Sequence, residues 1–258
     1  MKKIVKIIGF GFISSYLSKR LKKDYDTKVY HHDDKIDIKE TDYIIYLASY
    51  GNHFNQQDPY KIWKANVYDY MEVLKATRDI QYRGLIYFST SSVNLPVQTA
   101  YSESKYIGEV IGRKTHKKLN KPIISIRPFS VYGKGEAEFR FIPTIIKHLK
   151  SGEPMPLSEG YHDWIHIEDF VDAIVKIMEK SLDLAGKTIS IGTGKQTSNS
   201  DIVKTLEKIS GKKLKTIKTP KMRPYDNERW IADTTMIKSL GWKQSYTLEE
   251  GLKKIWES

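Results

Sequence analysis

Tyr101 and Lys105, in the stretch Tyr101-Ser102-Glu103-Ser104-Lys105, stand four residues apart and share one face if that stretch is helical. A phenol beside an ammonium is an acid–base pair, because the cation stabilises phenolate and brings the tyrosine toward neutrality. Spacing alone does not single the pair out. With 17 Tyr and 35 Lys in 258 residues, chance gives about two such pairs, and Tyr60…Lys64 is another. Context separates them. Tyr60 follows the helix-opening Asp58-Pro59, with no hydroxyl-rich strand end before it. Tyr101 follows Phe88-Ser89-Thr90-Ser91-Ser92, whose hydroxyls would emerge at the carboxyl edge of a sheet, where open α/β sheets bind ligands.

A second group opens the chain. Gly9-Phe10-Gly11-Phe12-Ile13-Ser14 lies between a first strand and its helix, where glycines let the backbone approach a pyrophosphate that the helix N-terminus attracts. Ser14 stands where the fingerprint has its third glycine, at some cost in closeness of helix to sheet. Asp33 follows Gly9 by 24 residues, at the end of the second strand. A carboxylate there accepts hydrogen bonds from an adenosine ribose and repels a 2′-phosphate, which favours NAD; His31, His32 and Asp34 beside it leave NADP as the alternative.

The elements that must position these groups alternate. The sequence predicts strands at Ile4–Ile8, Thr27–Tyr30, Asp42–Ala48, Gly84–Ser89 and Pro122–Arg127. Helices fall at Ile13–Lys23, from Asp58 to about Arg78, and at Ser102–Leu119. That alternation, with near-continuous apolar strands, predicts an α/β, doubly wound parallel sheet. After Pro128 glycines and prolines loosen the pattern, before a helix at Ile167–Lys180, a strand at Thr188–Ile191 and a Lys-rich helix and strand to Thr219.

Composition sets the outer bounds. Hydrophobic residues make up 40% and charged residues 29%, and there is no Cys. Disorder, collagen-like repeats and a disulfide framework are thereby excluded. Met1-Lys2-Lys3 and the apolar run to Leu17 imitate a signal peptide. Lys6 interrupts that run and no small-residue cleavage pattern follows, so it reads as strand, turn and helix. No run approaches 18 apolar residues, so no membrane span is expected, and a reducing cytoplasm fits. The formal charge of +12 raises nucleic acid as a partner. Only eight of the 43 basic residues are Arg, and the lysines spread widely, densest over 204–221, so the charge reads as solvated surface that also draws in an anionic substrate.

Over essentially its whole length the chain resembles the extended short-chain dehydrogenase/reductases, the sugar-nucleotide epimerase, dehydratase and reductase group. The landmarks fall in that family's order. They are the Gly-rich turn, Leu47-Ala48, Asp58-Pro59…Asn66-Val67, Ser89-Thr90-Ser91, Tyr101…Lys105 with Glu109, and Arg127-Pro128-Phe129-Ser130-Val131-Tyr132-Gly133. Asp163-Trp164-Ile165-His166-Ile167-Glu168-Asp169, Ile191-Gly192-Thr193-Gly194, Arg223-Pro224-Tyr225-Asp226 and Ala232-Asp233 leading to Leu240-Gly241-Trp242 follow.

The resemblance implies a Rossmann-type fold with a small C-terminal substrate-binding cap: residues 1–132, receiving about 163–192, bind NAD, and 133–258 mainly form the cap. It implies Tyr101 as catalytic base/acid, and Lys105 as the residue that binds the nicotinamide ribose and lowers the tyrosine pKa. Thr90 would hydrogen-bond the reacting sugar oxygen. Gly9, Gly11, Phe12, Ile13, Asp33, Leu47, Ala48, Ser89, Pro128 and Ser130 would contact the dinucleotide; Ser130 stands where the family often has Asn. Arg223 and Asp226 would hold the diphosphate and ribose of a nucleoside-diphosphate sugar, with Ser91 and Ser130 also facing substrate. His162…His166 has a metal-ligand spacing, but the family carries this stretch without metal, so none is expected. His162 replaces an Arg that often touches the diphosphate, so one phosphate contact is either weaker or supplied by a Lys such as Lys221. Helices 59–78 and 102–119 are the candidates for a homodimer.

Departures narrow the reaction. Eight residues separate Asp34 from Tyr43, which cuts short a helix and a strand and thins one wall of the adenine pocket. Ten residues separate Thr90 from Tyr101, where many members carry a long loop over the sugar. Ser91 and Ser92 stand where 4,6-dehydratases have Asp-Glu, which disfavours dehydration. The expected activity is an NAD-dependent 4-epimerase of a nucleotide sugar. The alternative is an NAD(P)H-dependent reductase of a nucleotide-linked 4-keto(-6-deoxy) sugar. A non-catalytic dinucleotide- or RNA-binding member ranks below both, since it has no reason to retain Thr90, Tyr101 and Lys105.

Overall fold

The computed structural model describes residues 2–219 and 229–258. Chain order runs β1 (Ile4–Ile8), α1 (Phe12–Leu21), β2 (Asp26–Tyr30), β3 (Tyr43–Tyr46), α2 (Pro59–Trp63), a π-helical turn (Lys64–Tyr68), α3 (Asp69–Ala76), β4 (Gly84–Phe88), α4 (Ala100–Leu119), β5 (Ile123–Pro128) and β6 (Ser130–Tyr132). It continues α5 (Phe141–Ser151), β7 (Met155–Leu157), β8 (Tyr161–His162), β9 (Trp164–His166), α6 (Ile167–Glu179), β10 (Thr188–Ile191), β11 (Thr197–Ser198), α7 (Asn199–Ser210), β12 (Thr216–Lys218), α8 (Thr235–Ser239) and α9 (Leu248–Trp256).

Six parallel strands form the central sheet in the order β10-β5-β4-β3-β1-β2. Helices cover both faces, which is why Tyr43–Tyr46 and Gly84–Phe88 are buried throughout. Side chains alternate between two cores. Tyr43, Ile45 and Ile86 join Leu17 and Phe170 under α1 and α6, whereas Ile44, Tyr46 and Tyr87 join Tyr70 and Val73 under α3. Each fully buried Ile or Leu contributes about 1.5–3 kcal/mol. A third cluster, built on Ile142, Leu149, Trp164, Ile202, Leu206 and Leu252, unites α5, α7 and α9.

The shortened segment is a local feature. Residues 31–42 join β2 to β3 with no helix or strand between them, pinned by Tyr30 Oη donating to the Asp37 carbonyl (2.6 Å) and by buried Ile38. β2 is therefore the last strand on its side. β1 lies between β2 and β3, so the chain reverses direction across the sheet there, opening a crevice at the strand ends. The helix expected from Asp58 to Arg78 is interrupted by the π turn, which turns Asn66 inward. The buried Asn66 Nδ2 donates to the Tyr50 carbonyl (2.9 Å) and to Ser104 Oγ (2.9 Å), tying the loop after β3 to α4. No helix among the described residues is long and apolar enough to cross a membrane.

Candidate active site

Gly9 sits at the crevice with φ of 109°, and a Cβ there would lie 2.5 Å from the Ala48 nitrogen, so only glycine fits. Leu47 and Ala48 both donate to the Ile8 carbonyl (2.8 Å each), which turns the chain at the end of β3. Gly11 is different: its backbone is extended, and a Cβ would meet nothing within 4 Å. That open space, facing the start of α1 at Phe12 and Ile13, is what a close-approaching phosphate requires. Ser14 is accommodated through its hydroxyl, which accepts the Gly11 N–H (2.7 Å) and donates to the Gly11 carbonyl (3.1 Å).

Asp33 lies past the end of β2 with its side chain 98% exposed, 2.9 Å from His32 Nδ1. Asp34 is used internally, accepting the His31 N–H (2.7 Å). Phe10, 63% exposed, stacks on His31 at 4.3 Å.

A capping box starts α4. Thr99 Oγ1 accepts the Ser102 N–H (3.2 Å), and Ser102 Oγ accepts the Thr99 N–H (2.8 Å). Tyr101 falls in the first turn and Lys105 one turn on. Lys105 is 1% exposed, and its Nζ has no hydrogen-bond partner among the described residues. It stands 4.7 Å over the ring of Tyr87, whose hydroxyl donates to the Asn66 carbonyl (3.2 Å). Gly108 makes room for that ring, since a Cβ there would be 2.0 Å from Tyr87 Oη. Burial pulls the Lys105 ammonium down to about 7, with Glu109 resisting.

Tyr101 is pushed up to about 12 by burial; Arg140 and the hydroxyls of Thr90 and Ser49 act in the opposite direction. The structure therefore brings Thr90 to Tyr101. Among the described residues Arg140 is the cation that acts on the phenol, and Lys105 is not among the groups that do so. Sequence reasoning missed both Ser49 and Arg140. Ser49 had a signal, since it directly follows the Leu47-Ala48 strand end.

Beneath Thr90, Glu109 receives a bidentate pair from Arg127 (Nε 2.8 Å, Nη2 2.7 Å) and a hydrogen bond from Ser89 Oγ. Ser89 is thus occupied inside the fold, where it braces β4 against α4. Thr90 Oγ1 is 3.0 Å from Ser92 Oγ and accepts the Ser92 N–H (3.2 Å), opening the single turn Ser91–Asn94. Pro128 ends β5 beside Ile191, and Ser130 donates its N–H to the Asp163 carbonyl (3.0 Å).

Asp163 is the knot of the substrate side. Its buried carboxylate accepts Thr193 N (2.7 Å), Thr193 Oγ1 (2.7 Å), Gly194 N (2.9 Å) and Ala232 N (3.0 Å). His162 packs against Trp230, with ring centroids 5.0 Å apart, and His166 caps α6 through Nδ1, so each histidine is engaged in packing or capping. Arg223, Asp226 and Lys221 lie outside the described residues. The chain resumes at Arg229, and Trp230 and Ile231 line a cavity of about 190 Å³ with Asn94 and Phe129. An unpartnered buried amine, an open glycine cradle and a helix N-terminus on one crevice fit a dinucleotide.

Comparison with known proteins agrees in kind. A family model described as the NAD dependent epimerase/dehydratase family matches residues 7–192. An Arabidopsis thaliana trifunctional UDP-glucose 4,6-dehydratase/UDP-4-keto-6-deoxy-D-glucose 3,5-epimerase/UDP-4-keto-L-rhamnose-reductase is 25% identical, covering 95% of this chain and 45% of that protein. The chain thus spans under half the length of this curated relative. An uncharacterized protein of Methanocaldococcus jannaschii is 26% identical, with 97% of this chain and 87% of that protein covered. A crystal structure of UDP-glucuronic acid 4-epimerase from Bacillus cereus, in complex with UDP-glucuronic acid and NAD, has the same fold. Its TM-score is 0.84, with 23% identity and 98% of each chain covered.

Proposed function

The chain belongs to the NAD dependent epimerase/dehydratase family, and from that premise we propose that it epimerises a nucleoside-diphosphate sugar at C4. The observation that carries this reading is Tyr101 held beside Thr90 at a dinucleotide cradle, with the buried Lys105 amine one helical turn away. When bound, NAD supplies the hydride acceptor and, in the reverse sense, the donor.

Thr90 Oγ1 orients the C4 oxygen of the sugar, and Tyr101 as phenolate takes that hydroxyl's proton as C4 becomes a ketone. Tyr101 returns the proton when hydride re-enters at the opposite face of C4. Lys105 finds hydrogen-bond acceptors on the nicotinamide ribose, is held charged by them, and so supplies the field that a buried phenolate requires. Asp33 accepts the adenosine ribose hydroxyls, and Arg223 and Asp226 hold the substrate's diphosphate and ribose. Residues 1–132 with about 163–192 form the cofactor side, and 133–258 mainly the substrate side. Tyr60, Tyr68, Met71 and Tyr106 are exposed large hydrophobic side chains on the helices of 59–78 and 102–119, which suits a homodimer.

One observation favours reduction of a 4-keto sugar as the second reading: the connection from Thr90 to Tyr101 is short, with the single turn Ser91–Asn94 before α4 begins at Ala100. Mass spectrometry of the purified protein separates the two. Retained NAD and turnover without added cofactor are expected, whereas dependence on added NADPH identifies a reductase. Tyr101→Phe should abolish turnover while NAD stays bound; turnover that survives this substitution removes Tyr101 from the mechanism.

A further inference from the structure

The loop between β6 and α5 carries groups that the Tyr101, Thr90 and Lys105 set does not use. Glu136 has a side chain only 7% exposed, with Oε1 3.3 Å from Arg140 Nε. Its Oε2 is buried with no hydrogen-bond partner among the described residues. Burial pushes this carboxyl up to about 7, so the pair keeps net positive charge near neutral pH. Among the described residues only Arg140 Nε has a side-chain partner, Glu136, and none of them accepts from the Nη1 and Nη2 atoms at the two-pronged end of the fork.

The position of that fork gives it meaning. Its charge acts on both Tyr101 and His53. Gly51 lies against Tyr101, since a Cβ there would be 3.3 Å from the Tyr101 Cβ. Phe139 packs edge-on against His53 (5.0 Å) and Phe54 (5.5 Å), so the two loops meet in an aromatic wall beside the phenol. A cation in such a partly desolvated mouth interacts more strongly than one in water.

We propose that Arg140, seated on Glu136, reads the sugar, and that the sugar it selects carries a carboxylate: the substrate is a nucleotide-linked uronic acid rather than a neutral hexose. This rests on the reading of Tyr101 as the base at C4. The carboxylate of a hexuronic acid hangs on C5, the ring neighbour of C4. A cation whose charge reaches Tyr101, on a loop packed through Phe139 and His53 against the Gly51 loop, lies on the side of the sugar that bears it. The diphosphate hangs on C1, across the ring. Among the described residues a neutral hexose would leave the guanidinium its contact with Glu136, while a carboxylate accepts both Nη donors at once.

The experiment is a pair of titrations on the NAD-loaded protein, with UDP-glucuronic acid and UDP-glucose as probes. The wild type should bind the uronate about tenfold to a hundredfold more tightly, the span expected for hydrogen bonds to a charged group. Arg140→Gln should erase that preference and leave UDP-glucose affinity within about twofold, while Arg140→Lys restores part of it. Retained NAD and an unchanged circular dichroism spectrum establish that each variant is folded. Equal binding of both sugars by the wild type, or a preference that survives Arg140→Gln, overturns the role of Arg140 and leaves the epimerase reading standing. Failure to bind either sugar overturns the uronate proposal for a uridine nucleotide, while the epimerase reading stands or falls separately on turnover by Tyr101→Phe.

Discussion

Cofactor binding should draw a proton into the protein, and Lys105 should be where it lands. In the free protein, burial without a hydrogen-bond partner holds this amine at about 7. A ribose whose hydroxyls accept from Nζ favours the charged form and returns the group toward its ordinary value near 10.5. At pH 8.5 the free amine is roughly 3% protonated and the bound one nearly fully so, an uptake of about 0.96 proton per cofactor. At pH 6 the free amine is already charged, and the uptake shrinks to about 0.1 proton. Because the complex binds more protons, affinity must fall as pH rises above 7, approaching about tenfold per pH unit between 8 and 10. Isothermal titration of NAD at pH 8.5, in buffers of differing ionisation enthalpy, measures the uptake directly. AMP, which lacks the nicotinamide ribose, should show none, and Lys105→Met should lose it. Heats that do not vary with buffer, or an uptake that persists in Lys105→Met, would refute the placement of the ribose on Lys105.

Two further outcomes follow from the packing. Asp163→Asn keeps one acceptor oxygen for Thr193 but sets an amide NH₂ against the N–H groups of Gly194 and Ala232. Losing two charge-assisted bonds at about 1.5–3 kcal/mol each should lower Tm by roughly 10 °C in calorimetry, and a shift under about 3 °C would mean the knot is not carried by charge. Tyr106→Glu, on the exposed face of α4, should convert a species of twice the 29.9 kDa chain mass to a monomer in light scattering. A wild type that already runs as a monomer removes that face as an interface.

What the sequence could and could not disclose follows from the range of the interactions. Tyr101 and Lys105 were legible because their relation is set inside one helix, and Gly9 because a strand-to-helix reversal leaves little choice at that position. The Asp42–Ala48 strand was overextended for a local reason: Leu47 and Ala48 already bend back to a single carbonyl, which their apolar side chains do not reveal. The π turn at Lys64–Tyr68 inserts one residue without breaking the hydrophobic pattern, so nothing in the sequence marked it. The proton state of Lys105 follows from its burial, and the ring of Tyr87 from β4, admitted by Gly108, is part of what packs over it. Arg140 reaches Tyr101 only through the fold of a loop, and no spacing rule connects them.

The abbreviated connection after β2 has a consequence for how molecules of this protein meet one another. A sheet that stops at Asp26–Tyr30 presents a row of backbone donors and acceptors, a template on which a foreign strand can grow. Lys28 occupies the centre of those five residues. Two copies that zipped together antiparallel about this strand would set one Lys28 directly opposite the other, and like charges so opposed repel. The truncation that leaves the sheet open on this side is thus guarded by one ammonium against edge-to-edge pairing of two copies in that register.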